Sequence, residues 1–180
     1  MKLVILDRDG VINFDSDKYV KTPAEWRAIP GSIEAIARLN QIGYRVAIAT
    51  NQAGIGRGLF DMATFNAIND KMMEMVFRHG GRIDALFFCP HTAEENCGCR
   101  KPKTGMFEEI AARFHVELKG VPCVGDSLRD LQAAESVGGQ PILVLTGKGR
   151  KTQDDGGIPK KTVVLSDLAE VSRHLTSAQS

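Results

Sequence analysis

Two aspartates one residue apart, Asp7 and Asp9, stand immediately after a short apolar run at residues 3–6 and before Gly10. In extended backbone, residues i and i+2 project to the same side, so both carboxylates would point together. Two neighbouring carboxylates repel each other unless a cation or a shared proton relieves them. A divalent metal serving phosphate chemistry is the economical reason for such a pair, and a polar turn capping the next element is the alternative. A third acid, Asp126, closes another short apolar stretch at residues 121–125, and Thr50-Asn51 closes a third at residues 44–49. The basic pair Arg100-Lys101 precedes the helix that leads into the Asp126 stretch. Together these supply acids for a metal, a hydroxyl and an amide for phosphoryl oxygens, and a fixed positive charge.

A second set is Cys89-Pro-His91, five residues, then Cys97-Gly-Cys99. Three sulfurs and one imidazole suffice for a closed tetrahedral Zn²⁺ site, and a closed site has no open position for catalysis. The zinc loop, at about residues 89–99, is therefore expected to be structural. Arg100 and Lys101 follow Cys99 directly, so the loop would aim them. Cys123 lies inside an apolar stretch and reads as core.

The elements that must position these groups alternate between short apolar runs and helical periodicity. Residues 44–49, 83–88, 121–126, 141–145 and 163–165 read as strands after the first run. Helices are expected at residues 32–42, 61–79, 104–114, 128–137 and 167–175, the last capped by Ser166. Phe65, Ile68, Met72, Met75 and Val76 recur at helical spacing, which marks core packing. Alternation of this kind predicts an α/β fold, a Rossmann-like parallel sheet with helices on both faces. In such sheets ligands bind beyond the carboxyl ends of the strands, the edge to which Asp7, Thr50 and Asp126 are delivered. Residues 11–30 are expected to be an irregular flap pinned by Trp26. Gly54, Gly56 and Gly58 read as a flexible loop, and residues 146–157 as a Gly/Lys-rich loop. The glycines do not form G-x-G-x-x-G followed by a helix, which excludes a dinucleotide fingerprint.

The chain has 180 residues, 43% hydrophobic and 25% charged, which predicts one domain over residues 1–180 with a substantial core. A formal charge of +1, without a basic run, excludes a general nucleic-acid binder. The opening apolar run is too short for a signal peptide, and no stretch approaches a membrane span. A cytoplasmic monomer is the default expectation, without a membrane partner.

The ordered set Asp7-x-Asp9-Gly10-Val11, Thr50-Asn51-Gln52, Lys101-Pro102 and Gly125-Asp126-x-x-x-Asp130 resembles the four motifs of the haloacid dehalogenase superfamily of phosphohydrolases. The resemblance spans residues 3–145. The strings Leu6-Asp-Arg-Asp-Gly10, Thr50-Asn-Gln-Ala-Gly54-Ile-Gly-Arg57-Gly58 and Cys99-Arg-Lys-Pro102 resemble the subfamily of heptose-bisphosphate and histidinol-phosphate phosphatases, which carries a zinc loop at this place. The connections at residues 11–30 and 50–61 leave no room for a large cap domain.

The resemblance implies that Asp7 is the nucleophile, forming an aspartyl-phosphate. It implies that Asp9 is the general acid/base. Thr50 and Lys101 would stabilise charge on the transferring phosphoryl group. Mg²⁺ would be held by Asp7, the backbone carbonyl of Asp9 and Asp126. Asp130 would be a second acidic ligand or a partner orienting Lys101; alone on a helix, it reads as a solvated charge or such a partner before a direct ligand. Arg100 is the candidate for gripping the sugar or its second phosphate. Asn13, Asp15 and Tyr19 on the flap, Asn51, Gln52 and Arg57 are further candidates for a phosphorylated sugar. Ser127 stands where the family has a lysine, and Arg129 is the candidate stand-in.

The implied activity is Mg²⁺-dependent removal of the 7-phosphate of a heptose 1,7-bisphosphate, in ADP-heptose supply for lipopolysaccharide core. Histidinol phosphate is the alternative substrate. An acidic flap would favour it, but Asp15 and Asp17 are offset by Lys18 and Lys21. A receiver-type phospho-acceptor domain also gathers acids, a Thr and a Lys at a sheet edge. There, however, the phosphorylated Asp ends a later strand before the Thr, whereas here Asp7 and Asp9 precede Thr50.

Overall fold

The computed structural model describes residues 1–178. Six strands among them form one sheet: β1 (Lys2–Leu6), β2 (Tyr44–Asn51), β3 (Ala85–Cys89), β4 (Pro122–Gly125), β5 (Gln140–Val144) and β6 (Val163–Leu165). Their order is β3-β2-β1-β4-β5-β6, and every pairing is parallel. Chain direction across the sheet reverses between β1 and β4, so their carboxyl ends open on the crevice where open α/β sheets bind ligands.

Alternation along the strands sorts two cores. Val4, Leu6, Val46, Ile48, Val124, Ile142 and Val144 face one side. They are covered by α1 (Ser32–Gln41), α3 (Met62–Arg78) and α7 (Leu168–Ser177), through Ile36, Leu39, Ile68, Met72 and Val171. Leu3, Ile5, Ala47, Ala49 and Cys123 face the other side, under Met106, Phe107 and Ile110 of α4 (Gly105–Phe114) and Ala133 and Ala134 of α5 (Leu128–Ser136). Burial on both faces explains why the strands read as continuous apolar runs rather than as alternating ones.

Between β1 and α1 the chain has no helix or strand. Trp26 is fully buried in the first core. Lys71 of α3 donates to the carbonyls of Pro23 and Trp26 at 2.6 and 2.8 Å, which ties the flap to the body.

Three local expectations are corrected. The glycine loop begins as a short helix, α2 (Ala53–Gly56). Gly54 packs against the Phe60 ring and Gly56 against the carbonyl of Pro90, approaches that leave no room for a Cβ. Residues 149–155 form α6 (Gly149–Asp155) within the expected Gly/Lys-rich loop. Its sequence, GRKTQDD, has no apolar stripe to announce it, and the bond from Thr152 Oγ1 to the Asp126 carbonyl at 2.7 Å anchors it. The last helix is capped by Asp167, whose Oδ1 accepts from the Glu170 amide at 2.8 Å, and not by Ser166.

Candidate active site

Asp7 is the residue after β1, and its amide donates to the carbonyl of Val124 in β4 at 2.9 Å. The ladder between β1 and β4 thus continues one step past the strand and sets Asp7 beside the end of β4, where Asp126 follows. Carboxylate oxygens of Asp7, Asp126 and Asp130 all lie within 4.8 Å of one another. Into this group reaches Lys101, only 2% exposed. Its Nζ meets Asp7 at 3.1 Å and Asp130 at 2.8 Å, and donates to the Ala49 carbonyl at 2.6 Å. The ammonium is thus set between two carboxylates and one carbonyl.

One lysine cannot neutralise three carboxylates. Burial pushes Asp7 up to about 7, with Asp130 and Asp9 adding repulsion and Lys101 opposing it. Burial, and then Asp130 and Asp7, push Asp126 up to about 8. Against the cost of its own burial, Asp130 is held below the ordinary carboxylate range by Lys101 and Ser127. Lys101, also opposed by burial, is raised by Asp130 and Asp7. Asp7 and Asp126 therefore give up their protons less readily than ordinary carboxylates unless a cation joins them. Oxygen donors with uncompensated negative charge, at the mouth of a cleft, suit a hard divalent ion such as Mg²⁺.

Asp126 is held tightly. Its Oδ2 accepts from the Lys148 amide at 2.8 Å. Gly10 and Gly147, at φ +85° and +54°, lie so close to its carboxylate that no side chain fits at either position. Asp130 is buried, which corrects the expectation of a solvated charge there. Its Oδ2 accepts from the amide and hydroxyl of Ser127 at 3.0 and 2.6 Å, capping α5. The spacing Ser127-x-x-Asp130 is the capping-box signal in the sequence that points to this bond.

Asp9 points from the turn after Asp7. Its carboxylate accepts from Gln52 Nε2 at 2.8 Å and from Asn13 Nδ2 at 2.8 Å, and pairs with Arg8 at 3.1 Å. Gln52 Nε2 also meets Thr50 Oγ1 at 2.8 Å. Asn51 clamps Lys101 through its backbone: Oδ1 accepts from the Lys101 amide at 3.0 Å and Nδ2 donates to its carbonyl at 3.1 Å.

The cleft above these groups is lined by Asp7, Asp9, Asp126 and Lys101 at its base. Asp15 and Tyr19 of the flap, Asn51, Gln52, Arg57, Arg100, Arg129 and Lys148 form its walls. Arg57 pairs with Glu94 at 3.8 Å, and Arg100 Nη1 donates to the His91 carbonyl at 3.4 Å. Lys148 bridges to Asp15 at 3.5 Å and Asp17 at 3.9 Å, tying the flap to the turn that holds Asp126. Tyr19 sits at φ +66°, a left-handed conformation uncommon outside glycine. Thr50 is buried beneath the cleft.

Sequence reasoning missed two residues here, Arg8 and Lys148. Arg8 lies between two acids in the leading motif, and its complete burial depends on α3. Lys148 lies in the stretch expected as a Gly/Lys-rich loop, and its place at the cleft depends on the distant Asp15, Asp17 and Asp126.

The second cluster brings Cys89, His91, Cys97 and Cys99 within 4.8 Å of one another. Cys89 Sγ lies 3.1 Å from Cys99 Sγ and 3.5 Å from Cys97 Sγ, and His91 Nδ1 lies 3.3 Å from Cys99 Sγ. Tetrahedral ligands about 2.3 Å from a central zinc would be separated by slightly more than these distances. Burial works against the Cys97 thiolate, yet the Arg100 amide and the neighbouring thiols bring it down to about 6. A thiol so poised is a ready metal ligand. Cys123 is remote from this group and buried in the core.

Comparison with known proteins agrees with this geometry. Two family models match, HAD-hydrolase-like over residues 98–171 and Polynucleotide kinase 3 phosphatase over residues 2–133. The D-glycero-beta-D-manno-heptose-1,7-bisphosphate 7-phosphatase of Bordetella bronchiseptica is 58% identical over 175 residues, 97% of this chain and 98% of that protein. The enzyme of the same name from Pseudomonas putida is 51% identical, over 97% of this chain and 99% of its own. A crystal structure of D,D-heptose 1.7-bisphosphate phosphatase from B. bronchiseptica, complexed with magnesium and phosphate, matches with a TM-score of 0.98 at 57% identity and covers 99% of each chain. Among the described residues no helix is long and apolar enough to cross a membrane. The expected fold and phosphatase chemistry are thus both met, and the chain belongs to the haloacid dehalogenase superfamily of phosphatases, in the family of D-glycero-beta-D-manno-heptose-1,7-bisphosphate 7-phosphatases.

Proposed function

We propose that this chain is a Mg²⁺-dependent phosphomonoesterase that removes the 7-phosphate of D-glycero-β-D-manno-heptose 1,7-bisphosphate, in the cytoplasmic supply of ADP-heptose for lipopolysaccharide core. The observation that carries the reading is the group of Asp7, Asp126, Asp130 and Lys101 at the β1/β4 crevice, with Asp9 beside it.

Asp7 attacks the phosphorus, and the bond from phosphorus to the C7 oxygen breaks. Asp9 gives that oxygen its proton, so the sugar leaves as an alcohol. Asp9 then takes a proton from a water that attacks the aspartyl-phosphate. The bond to Asp7 breaks and inorganic phosphate is released. Lys101 and Thr50 meet the charge on the equatorial oxygens. Asp7, Asp126 and the backbone carbonyl of Asp9 would hold Mg²⁺. Once bound, that ion supplies the positive charge that lets a carboxylate approach a phosphate dianion. Lys101, already tied to Asp7 and Asp130, needs no large movement to reach an oxygen next to Asp7.

The sugar and its second phosphate fall to the cationic walls of the cleft, Arg57, Arg100, Arg129 and Lys148, with Asp15, Tyr19, Asn51 and Gln52 near the sugar. Four cations against Asp15 and Asp17 favour a doubly anionic substrate over histidinol phosphate, whose imidazole end carries positive charge. Zn²⁺ in the Cys89, His91, Cys97, Cys99 loop would hold the segment that presents Arg100.

The test is phosphate release from the heptose bisphosphate and from histidinol phosphate, side by side, with Mg²⁺ and with EDTA. The expected result is strong preference for the bisphosphate, lost with EDTA. Preference for histidinol phosphate would overturn the substrate while leaving the chemistry in place.

A further inference from the structure

Arg8 carries a charge that the proposed reaction has not used. Its side chain is completely buried, and such a charge persists only when paired and hydrogen-bonded. The guanidinium spends Nε and Nη2 on Asp9, at 3.3 Å and at 3.1–3.2 Å, in a side-on fork to both carboxylate oxygens. Nη1 turns away to Asn69 Oδ1 on α3 at 3.1 Å. The guanidinium carbon lies 5.7 Å from the centre of the Phe65 ring, and Phe65 packs on Phe88 of β3 with ring centres 4.6 Å apart. The Arg8 carbonyl accepts the amides of Val11, Ile12 and Asn13, which closes the turn around Asp9.

Asp9 needs such support because no regular element holds it. It lies past the end of β1, in a turn that reverses through Gly10. Without a tether, its carboxylate would sample several rotamers over the cleft. Asn13 and Gln52 also hold it, but Gln52 lines the cleft and divides its amide between Asp9 and Thr50. Asn13, also fully buried, divides its amide between Asp9 and the Phe14 carbonyl, so Arg8 is the charged tether and the one that grips both carboxylate oxygens.

We propose that Arg8 is a positioning residue for proton transfer: anchored on Asn69 and Phe65, it fixes the Asp9 carboxylate at the leaving oxygen. This inference rests on the reading of Asp9 as the general acid. The Arg8 side chain, completely buried, acts through Asp9; its backbone amide, which donates to Asp7 Oδ1 at 2.8 Å, stays in place in every Arg8 variant. The proton itself passes from Asp9 to the sugar oxygen, and Arg8 keeps its own protons throughout.

Leaving-group dependence tests it. A sugar alkoxide needs a proton to depart, whereas p-nitrophenolate leaves as a stable anion. The ratio kcat/KM registers only the steps up to that departure. Arg8→Met, Arg8→Lys and Asn69→Leu would be measured with the heptose bisphosphate and with p-nitrophenyl phosphate. Arg8→Met is expected to lower kcat/KM on the sugar phosphate by about 10²-fold and on the aryl phosphate by less than about threefold. Arg8→Lys should recover part of the sugar-phosphate loss. Asn69→Leu should give a smaller loss with the same selectivity, and it carries the test if Arg8→Met fails to fold. Equal losses on both substrates, or none, would overturn the proposal and leave Arg8 a structural residue. Asp9→Asn serves as the control. If it too shows no leaving-group dependence, the reading of Asp9 as acid has failed; if it shows the dependence and the Arg8 and Asn69 variants do not, only the present inference has.

Discussion

Asp7, at the end of β1, meets Asp126 and Asp130, at the junction of β4 and α5, from 119 positions away in the chain, whereas Cys89, His91, Cys97 and Cys99 come from eleven consecutive residues. The first group needs the whole sheet to exist, because only the β1/β4 pairing sets Asp7 beside Asp126. The second needs little beyond its own loop and an ion. Their chemistry differs in the same sense. The oxygen cluster opens on a cleft and holds more carboxylates than Lys101 can balance once they ionise, so it awaits both a cation and a substrate. The sulfur cluster has a full set of four ligands and no open position, which suits holding a loop. One sheet thus builds a site for chemistry, and one loop builds a brace for the segment beside it.

The largest effect expected on the oxygen side is from Asp7→Asn. Removing the attacking oxygen should lower turnover by at least about 10⁴-fold, the scale seen when a covalent nucleophile is lost. The fold should survive, because one charge leaves a repulsive group. Phosphate release and the melting curve check the two halves together. A variant that lost activity only through unfolding would remove the distinction between the two clusters.

On the sulfur side, Cys99→Ser should empty the zinc loop and lower the melting temperature on the order of 10 °C. Its catalytic effect should be uneven. Lys101 has its own ties to Asn51, Asp7, Asp130 and the Ala49 carbonyl. The Arg100 side chain donates to the His91 carbonyl and its backbone amide to the Cys97 sulfur, both within the loop. The KM for the bisphosphate should therefore rise about tenfold, with kcat on p-nitrophenyl phosphate nearly kept. Equal loss on both would mean that the brace holds Lys101 after all. Metal analysis of the purified variant supplies the zinc count.

The sequence reveals the two clusters to different depths, for the same structural reason. Cys89, His91, Cys97 and Cys99 are visible as a local spacing. Asp7, Asp9 and Asp126 are visible because each ends an apolar run, and parallel strands deliver such ends to one edge. What it hides is whatever depends on a distant partner. Arg8 looks like a spacer between two acids until Asn69, 61 positions later, is seen to accept from it. Asp130 looks solvated until Lys101 reaches it, and α6 has no apolar stripe because its anchor is one hydroxyl on the Asp126 carbonyl. Side-chain burial of polar groups is set by tertiary contacts, and periodicity does not register it.

A smaller effect separates the clusters by pH. Asp7 and Asp126 have folded-state values of about 7 and about 8 against an ordinary 3.8. Between these limits the metal-free folded chain binds more protons than the unfolded one, so the contribution of these groups to stability falls as pH rises. With the zinc loop left loaded, metal-free protein should melt several degrees higher at pH 6 than at pH 8.5. Mg²⁺ should raise the melting temperature more at pH 8.5, where its binding displaces fewer protons. A Mg²⁺ effect independent of pH would argue that Asp7 and Asp126 are not its ligands.

The finest distinction lies within one turn of the oxygen site. Lys148 holds Asp126 through its backbone amide and the flap through its side chain, to Asp15 and Asp17. The side-chain pairs are long and open to solvent at Lys148 and Asp17, a type that contributes little to stability. Lys148→Ala should leave the melting temperature and Mg²⁺ affinity unmoved while raising KM for the bisphosphate about threefold, through a looser flap and one lost wall cation. Gly147→Ala should do the reverse. Its φ of +54° and its closeness to the Asp126 carboxylate leave no space for a methyl group, so Mg²⁺ binding suffers before substrate binding does. Titrating Mg²⁺ and bisphosphate separately on the two variants reads this crossing pattern. If Lys148→Ala weakened Mg²⁺ as well, the flap would be part of the metal site, and the cleft would be a closing structure rather than a preformed edge of the sheet.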